Sequence, residues 1–216
     1  DSQFIQMTND MSCQYSPQEN IGDSIYIFTN WGAPKNRLMV TDIEHPGFNE
    51  WKTLVPESKD MLEDVTFVDG KMILNYMKDA SNHAFVYDLD GKQLAEIKLP
   101  TVGSAAFYGK KDRKEVFYSF SSFTIPNSIY QYDIASNESK VYATPKVKFR
   151  SSDYVTEQVF YPSKDGTCVP LFITYKKGLK RNGKNPVYLY GYGGFNIAMP
   201  PYFASNRIPF LENGGI

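Results

Sequence analysis

The chain has 216 residues, of which 42% are hydrophobic and 15% aromatic, so it can bury the core of one large domain or of parts of two. Its formal net charge is −1 and its 23 basic residues are spread along the chain, which excludes the basic patch expected of a protein that binds nucleic acid or a membrane surface. No apolar run approaches the roughly 20 residues that a membrane-spanning helix needs.

The amino terminus reads Asp-Ser-Gln-Phe and carries neither an initiator methionine nor a signal-peptide pattern. We therefore expect the chain to be an internal segment of a longer protein. The compartment stays open between cytoplasm and periplasm, because a leader would not be visible in such a segment.

A repeat of about 45 residues runs through the first two thirds of the chain. Three predicted strands end on Asp42, Asp88 and Asp133, which are 46 and 45 residues apart. An alternating apolar run precedes each aspartate, at 24–29, 72–77 and 115–120, and a further short strand follows each, at 51–55, 93–97 and 140–142. We expect the aspartates to cap turns, because an aspartate side chain can accept a hydrogen bond from the backbone two residues further on.

One more strand can be placed at the start of each repeat. The strand predicted at 63–68 is the clearest, because Asp69-Gly70 follows it and this dipeptide is a strong hairpin signal. Four antiparallel strands in about 45 residues are typical of a β-propeller blade. A repeated hairpin in an all-β sandwich is the alternative, and the equal spacing favours the propeller.

The pattern changes after about Tyr142. Strands predicted at 155–161 and 169–175 form a hairpin, and Pro186–Tyr190 is predicted to be a strand buried in a sheet covered on both faces. Residues 205–213 are predicted to form a helix with Ser205 as its cap, and the chain then enters another strand at Ile216.

Few groups in the sequence have catalytic chemistry. The nucleophile motif Gly-x-Ser-x-Gly is absent, and the two histidines, His45 and His83, fall in predicted exposed turns. No Ser-His-Asp triad can be assembled from this chain. Cys13 and Cys168 lie too far apart for metal-ligand spacing and are predicted to be reduced thiols, so we expect neither a metal nor a cofactor.

The glycine-rich segment from Gly191 to Asn196 is the strongest functional signal. It is either a plain turn between a strand and a helix or a loop whose backbone passes close to a reacting carbonyl. Tyr192 lies between its glycines and offers a hydroxyl donor for a developing oxyanion.

The sequence Tyr-Leu-Tyr-Gly-Tyr-Gly-Gly-Phe-Asn at 188–196 resembles the signature of the prolyl oligopeptidase family of serine peptidases. The segments at 152–154, 160–167 and 175–178, and propeller-like segments such as 29–31 and 51–57, resemble the same family. The resemblance implies a mainly β chain: about three C-terminal blades of a seven-bladed β-propeller over 1–145, then the start of an α/β-hydrolase domain over 146–216.

The resemblance also implies two site residues. Tyr192 matches the tyrosine that completes the oxyanion hole, and Phe195 matches a phenylalanine that lines the pocket for the substrate proline. Packing beneath the loop is the alternative for Phe195. The family's Ser, Asp and His would lie beyond residue 216, in the remainder of the same polypeptide, so the chain alone is expected to be inactive.

The implied activity is cleavage of short peptides on the C-terminal side of proline. An oligopeptidase that cleaves after basic residues is the nearest alternative, but that relative typically has Ser-Tyr where this chain has Gly194-Phe195. The alternative from another class is a propeller binding module with a degenerate hydrolase domain.

Overall fold

The computed structural model describes residues 4–9, 11–195 and 197–216. Three four-stranded sheets form first, each from four strands that pair in chain order. The strands of the first sheet are β1 (Tyr15–Ile21), β2 (Ser24–Thr29), β3 (Arg37–Asp42) and β4 (Lys52–Val55). Those of the second sheet are β5 (Met61–Val68), β6 (Lys71–Lys78), β7 (Ser81–Asp88) and β8 (Gln93–Ile97). Those of the third sheet are β9 (Ser104–Tyr108), β10 (Val116–Ser121), β11 (Ser128–Asp133) and β12 (Glu138–Ala143).

Two further strands and one short helix follow. Strand β13 (Tyr154–Pro162) pairs antiparallel with β14 (Cys168–Lys176), and helix α1 spans Ile208–Glu212. Single turns of 3₁₀ helix lie at Phe48–Glu50, Ser151–Asp153 and Ser205–Arg207. The observed helix is therefore shorter than the predicted 205–213, and its N-cap residue is Arg207 and not Ser205. Pro209 lies in the first turn of α1, where its missing N–H is not needed.

The chain divides into two compact units. One unit holds the described residues up to Met77 with Ala84–Glu96 and Gly109–Lys114. The other holds Lys78–His83, Ile97–Tyr108 and the described residues from Glu115 to Ile216. The loop with the strongest functional signal thus belongs to the same unit as the third sheet.

The middle strands of the first sheet are buried on both faces. Tyr26 and Phe28 of β2 pack in a cluster that includes Phe67 of β5, with the Tyr26 and Phe67 rings 4.8 Å apart. Ile27, between them, faces the opposite way and packs against Trp51. Side chains alternate across a strand, so one strand contributes to two layers of core.

The three aspartates of the repeat cap the turns after β3, β7 and β11, as predicted. Oδ1 of Asp42 accepts the backbone N–H of Glu44 at 2.7 Å. Oδ1 of Asp88 accepts two backbone N–H groups, and Oδ1 of Asp133 likewise accepts two. Each carboxylate therefore satisfies donors that the turn leaves without a backbone partner.

The hairpin between β5 and β6 is the two-residue turn that the sequence indicated. Asp69 and Gly70 have φ values of 45° and 67°, and a turn of this kind requires positive φ at both central residues. The right-handed twist of the flanking strands matches that backbone geometry.

The predicted buried strand at Pro186–Tyr190 is wrong as stated. This segment is not part of a sheet ladder, and Val187 and Leu189 are 67% and 79% exposed. A parallel strand acquires its backbone partners and its cover from distant parts of a chain. Among the described residues, backbone pairing reaches this segment only at Ile216, and one pairing does not bury it.

The carboxylate of Asp88 is expected to stabilise the second sheet through its turn. Asp88→Ala removes the acceptor of two backbone hydrogen bonds and should lower the free energy of unfolding by about 1 kcal/mol in urea denaturation. Asp90→Ala, an exposed position in the same turn, is the control and should change it by less than about 0.5 kcal/mol. Equal effects of the two substitutions would contradict the capping role.

A second expected effect concerns acid stability at the turn between β13 and β14. The hydroxyl of Ser163 and the backbone N–H of Thr167 donate to Asp165 and lower its pKa from 3.8 to about 2. Because the folded-state pKa lies below the unfolded value, the stabilisation is complete above pH 3.8 and is lost as the pH falls toward about 2. The free energy of unfolding of Asp165→Asn should depend less on pH than that of wild type in that window. Parallel curves of unfolding free energy against pH for the two proteins would exclude the effect.

Candidate functional site: a glycine-rich loop after an extended segment

The glycine-rich loop is held at its start by a parallel backbone pairing. The N–H of Tyr188 donates to the carbonyl of Ile216, and the N–H of Ile216 donates to the carbonyl of Pro186, both at 2.9 Å. Ile216 thus bonds to Pro186 and Tyr188, the two residues on either side of Val187. This is the hydrogen-bond pattern of a parallel pair. Ile216 therefore lies alongside Val187 with the same chain direction, as the predicted strand entry at Ile216 requires.

Helix α1 lies in the connection between the two paired segments and packs closely on them. The ring of Phe210 approaches Gly215 so closely that a Cβ there would be 2.3 Å from it, and it meets the Tyr188 ring edge-on at 6.5 Å. The opposite side of α1 buries Ile208 and Leu211 against Tyr154 of β13. The chain thus runs from the extended segment at 186–188, through α1, to Ile216, which pairs in parallel with that segment.

Tyr192 is half-exposed and folds back over the loop. A Cβ placed on Gly194 would lie 2.8 Å from the Tyr192 hydroxyl oxygen and 3.0 Å from the ring carbon that bears it. Only a residue without a side chain leaves room for this ring position. Gly194 therefore fixes where the Tyr192 hydroxyl lies, and Gly191, where a Cβ would meet nothing within 4 Å, does not.

Phe195 combines a strained backbone with an exposed ring. Its φ is +56°, in the left-handed region that bulky residues avoid, and its side chain is 91% exposed. The carbonyl of Gly194 accepts the N–H of Ile197 at 3.1 Å and closes a turn around it. Among the described residues, the ring does not pack beneath the loop. Asn196 lies outside the described residues.

The segment that follows the loop is attached to the third sheet by two serines, at Pro201 and Phe203. The hydroxyl of Ser104 donates to the carbonyl of Pro201 at 2.8 Å, and the hydroxyl of Ser121 accepts the N–H of Phe203 at 3.0 Å. Sequence patterns did not single out these serines, because their partners lie 97 and 82 residues further along the chain.

The two histidines lie in different structural environments. His45 is exposed in the turn after β3, as predicted. His83 was predicted in an exposed turn, but it lies within β7 and is partly buried, because β7 begins at Ser81 and extends further than the apolar pattern indicated. Both cysteines are free thiols, Cys13 partly buried and Cys168 exposed.

One group of possible metal ligands occurs among the described residues. Potential donor atoms of Asp42, Glu44 and His45 lie within 4.8 Å of one another, and all three residues are exposed. The Asp42 carboxylate already serves as the turn cap, which explains the proximity without a metal. Among the residues described, no helix is long and apolar enough to cross a membrane.

Comparison with known proteins identifies the family. Residues 1–145 match the family model described as prolyl oligopeptidase, N-terminal beta-propeller domain. The chain belongs to the prolyl oligopeptidase family. Its three four-stranded sheets match the propeller domain of that family, and the sandwich alternative is not supported.

Curated relatives of the family align with nearly the whole chain. The prolyl endopeptidase of Elizabethkingia meningoseptica is 42% identical over 214 residues, which are 99% of this chain and 30% of that protein. The prolyl endopeptidase of Elizabethkingia miricola is 44% identical over 196 residues, which are 90% of this chain and 28% of that protein. The chain therefore spans about 30% of the length of these prolyl oligopeptidase family members.

Solved structures of prolyl oligopeptidases have the same fold. A chain from a structural and mechanistic study of two prolyl endopeptidases gives a TM-score of 0.86 at 38% identity, covering 97% of this chain and 31% of its own. Prolyl oligopeptidase B from Galerina marginata, bound to a 25mer macrocyclization substrate, gives 0.84 at 27% identity, covering 95% and 29%.

Gly194→Ala should move the Tyr192 ring without unfolding the chain. The added Cβ clashes only with the far end of a flexible side chain, so the ring can rotate away. In protein with ¹³C-labelled tyrosine, the Tyr192 ring signal, assigned through Tyr192→Phe, should shift. Gly191→Ala is the matched control and should leave it in place. An unshifted signal in Gly194→Ala would show that Gly194 does not set the ring position.

Proposed function

We propose that this chain is part of a serine peptidase that cleaves short peptides on the C-terminal side of proline. The observation that carries the proposal is the loop at Gly191–Phe195, where a glycine leaves room for the Tyr192 hydroxyl and a strained backbone holds the Phe195 ring in solvent. Neither feature stabilises the described chain, and both are suited to contact with a peptide.

Tyr192 is proposed to stabilise the oxyanion. When a serine hydroxyl attacks the carbonyl carbon of the substrate proline, negative charge develops on the carbonyl oxygen. A neutral phenol donates a hydrogen bond to that oxygen, and a donor of this kind supplies on the order of 3 kcal/mol of transition-state stabilisation. A histidine would take the serine proton as general base.

Phe195 is proposed to line the pocket for the substrate proline. A flat aromatic ring is a suitable wall for a rigid pyrrolidine ring, because the two apolar faces can lie against each other. The ring is 91% exposed in the described chain, so no contact there competes with a substrate proline.

Residues 146–216 are proposed to begin an α/β-hydrolase domain. The parallel pairing of Ile216 beside Val187, with α1 in the connection, supports this, because parallel strands joined through a helix are the building unit of such sheets. The exposed apolar side chains of Val187 and Leu189 are those that further strands and helices of the domain would cover.

The triad is proposed to lie in the remainder of the same polypeptide. The chain has no Gly-x-Ser-x-Gly motif, so the serine, aspartate and histidine would come from sequence beyond Ile216. The 216-residue chain by itself is then expected to show no peptidase activity. The propeller would restrict access to the site, which limits substrates to short proline-containing peptides.

Cleavage after proline is favoured over cleavage after basic residues. A serine at position 194 would place its Cβ 2.8 Å from the Tyr192 hydroxyl oxygen and displace the ring. A loop with Ser-Tyr and a loop with Gly-Phe at 194–195 would therefore position this tyrosine differently. The relatives at 42% and 44% identity are named prolyl endopeptidases, which agrees with this preference.

The test uses the full-length enzyme with reporter peptides that end in Gly-Pro or Arg-Arg. Wild type should cleave the Gly-Pro reporter. Tyr192→Phe should lower kcat by roughly tenfold to a thousandfold with KM little changed, because the lost bond forms only in the transition state. Phe195→Ala should mainly raise KM, because it removes a contact made with bound substrate and transition state alike.

The two variants serve as controls for each other, since both keep the loop glycines. Wild-type kcat in Tyr192→Phe would remove Tyr192 from the mechanism. Preferential cleavage of the Arg-Arg reporter would favour the basic-residue alternative. Absence of any cleavage by the full-length protein would favour the binding module with a degenerate hydrolase domain.

A further inference from the structure

The two serines that bind the segment at 201–203 lie opposite each other on neighbouring strands of the third sheet. Ser104 of β9 and Ser121 of β10 are register partners in the antiparallel pairing. One donates a hydrogen bond to the Pro201 carbonyl and the other accepts one from the Phe203 N–H. In an extended segment, the carbonyl of one residue and the N–H of the second residue after it point to the same side. The serine pair therefore takes the place of a neighbouring strand for this segment.

The segment is also held by aromatic packing at Phe203. The Phe203 ring stacks on Phe149 with ring centroids 5.5 Å apart and planes 13° from parallel. Both rings pack on the cluster formed by Tyr154 and two residues of α1. Pro201 is buried. The stretch at 201–203 is thus a fixed point between the third sheet and the small core around α1.

The loop backbone belongs to no helix or strand, although Gly194 sets the position of the Tyr192 ring within it. The described residues between Gly191 and Pro200 form no helix or strand, and Tyr192 and Phe195 are half-exposed and exposed. The loop is attached at its start by the backbone pairing of Tyr188 with Ile216, and at its end by the serine pair. We therefore expect the two attachments to influence the geometry of this strained, exposed loop.

We propose that Ser104 and Ser121 are positioning residues for Tyr192, through which the third propeller sheet sets the geometry of the oxyanion donor. The proposal rests on the proposed function for the role of Tyr192 in catalysis. It adds that two propeller residues, neither of which touches the substrate, tune that role through the segment at 201–203.

The kinetic test uses the full-length enzyme and the Gly-Pro reporter. The double variant Ser104→Ala/Ser121→Ala should lower kcat on the order of tenfold with KM little changed, because small displacements of a positioned donor are costly in the transition state. The double variant Ser104→Thr/Ser121→Thr keeps both hydroxyls and should recover most of the loss. Ser119→Ala, two residues earlier on the same face of β10, is the matched control and should behave as wild type.

A double-mutant cycle separates positioning from general loosening. If the serines act through the Tyr192 hydroxyl, the serine-to-alanine pair should cause little further loss of kcat in a Tyr192→Phe background. The same fold-loss in both backgrounds, or no loss in the wild-type background, would overturn the proposal. Failure of threonine to restore kcat would also count against it.

A second measurement keeps the proposal testable if the proposed function fails. That failure would show as absent post-proline cleavage or as wild-type kcat in Tyr192→Phe. Amide hydrogen exchange is then compared between wild type, the alanine pair and the threonine pair. Faster exchange in the alanine pair that extends from Phe203 back to Tyr192 would support positioning of the loop. Unchanged exchange, or a change confined to Phe203, would overturn it.

Discussion

The fold depends on pairing between strands that are neighbours in the chain. Each of the three sheets is complete with four consecutive strands, so its hydrogen bonds close over short loops and require little loop-closure entropy. The turn after the third strand of each sheet is capped by an aspartate at the same place, Asp42, Asp88 or Asp133. Because each sheet is locally complete, the third sheet offers fixed side chains on which a less regular segment can rest.

The residues after about 145 depend more on contacts between segments that are distant in the chain. The contacts on either side of the glycine-rich loop join positions far apart in sequence: Pro186 and Tyr188 with Ile216, and two serines of the third sheet with Pro201 and Phe203. Parallel pairing always needs a long connection, so the pairing beside Ile216 cannot be closed by a local turn. The irregular loop lies between two such contacts, one with Ile216 and one with the third sheet.

This difference decides what the sequence could predict. The strands of the sheets were predicted closely, because alternation and the aspartate spacing are local signals; the run at 72–77, for example, is β6 at Lys71–Lys78. The apolar run at Pro186–Tyr190 was predicted to be a buried strand, but burial depends on partners that a run of residues does not specify. Tyr192 was proposed from its place between glycines and, like Phe195, from family resemblance, which gives identity and not geometry. The serine contacts span more than 80 residues and left no pattern to detect.

The energetics of the loop explain why it needs its attachments. A phenylalanine with φ near +56° costs on the order of 1 to 2 kcal/mol, and its exposed ring gains nothing from burial in return. The two serine hydrogen bonds contribute about 1 kcal/mol each, which is of the same size. Strain at Phe195 is therefore offset by bonds made outside the loop. A loop balanced in this way can keep an aromatic ring and a phenol exposed, as the proposed contacts with a peptide require.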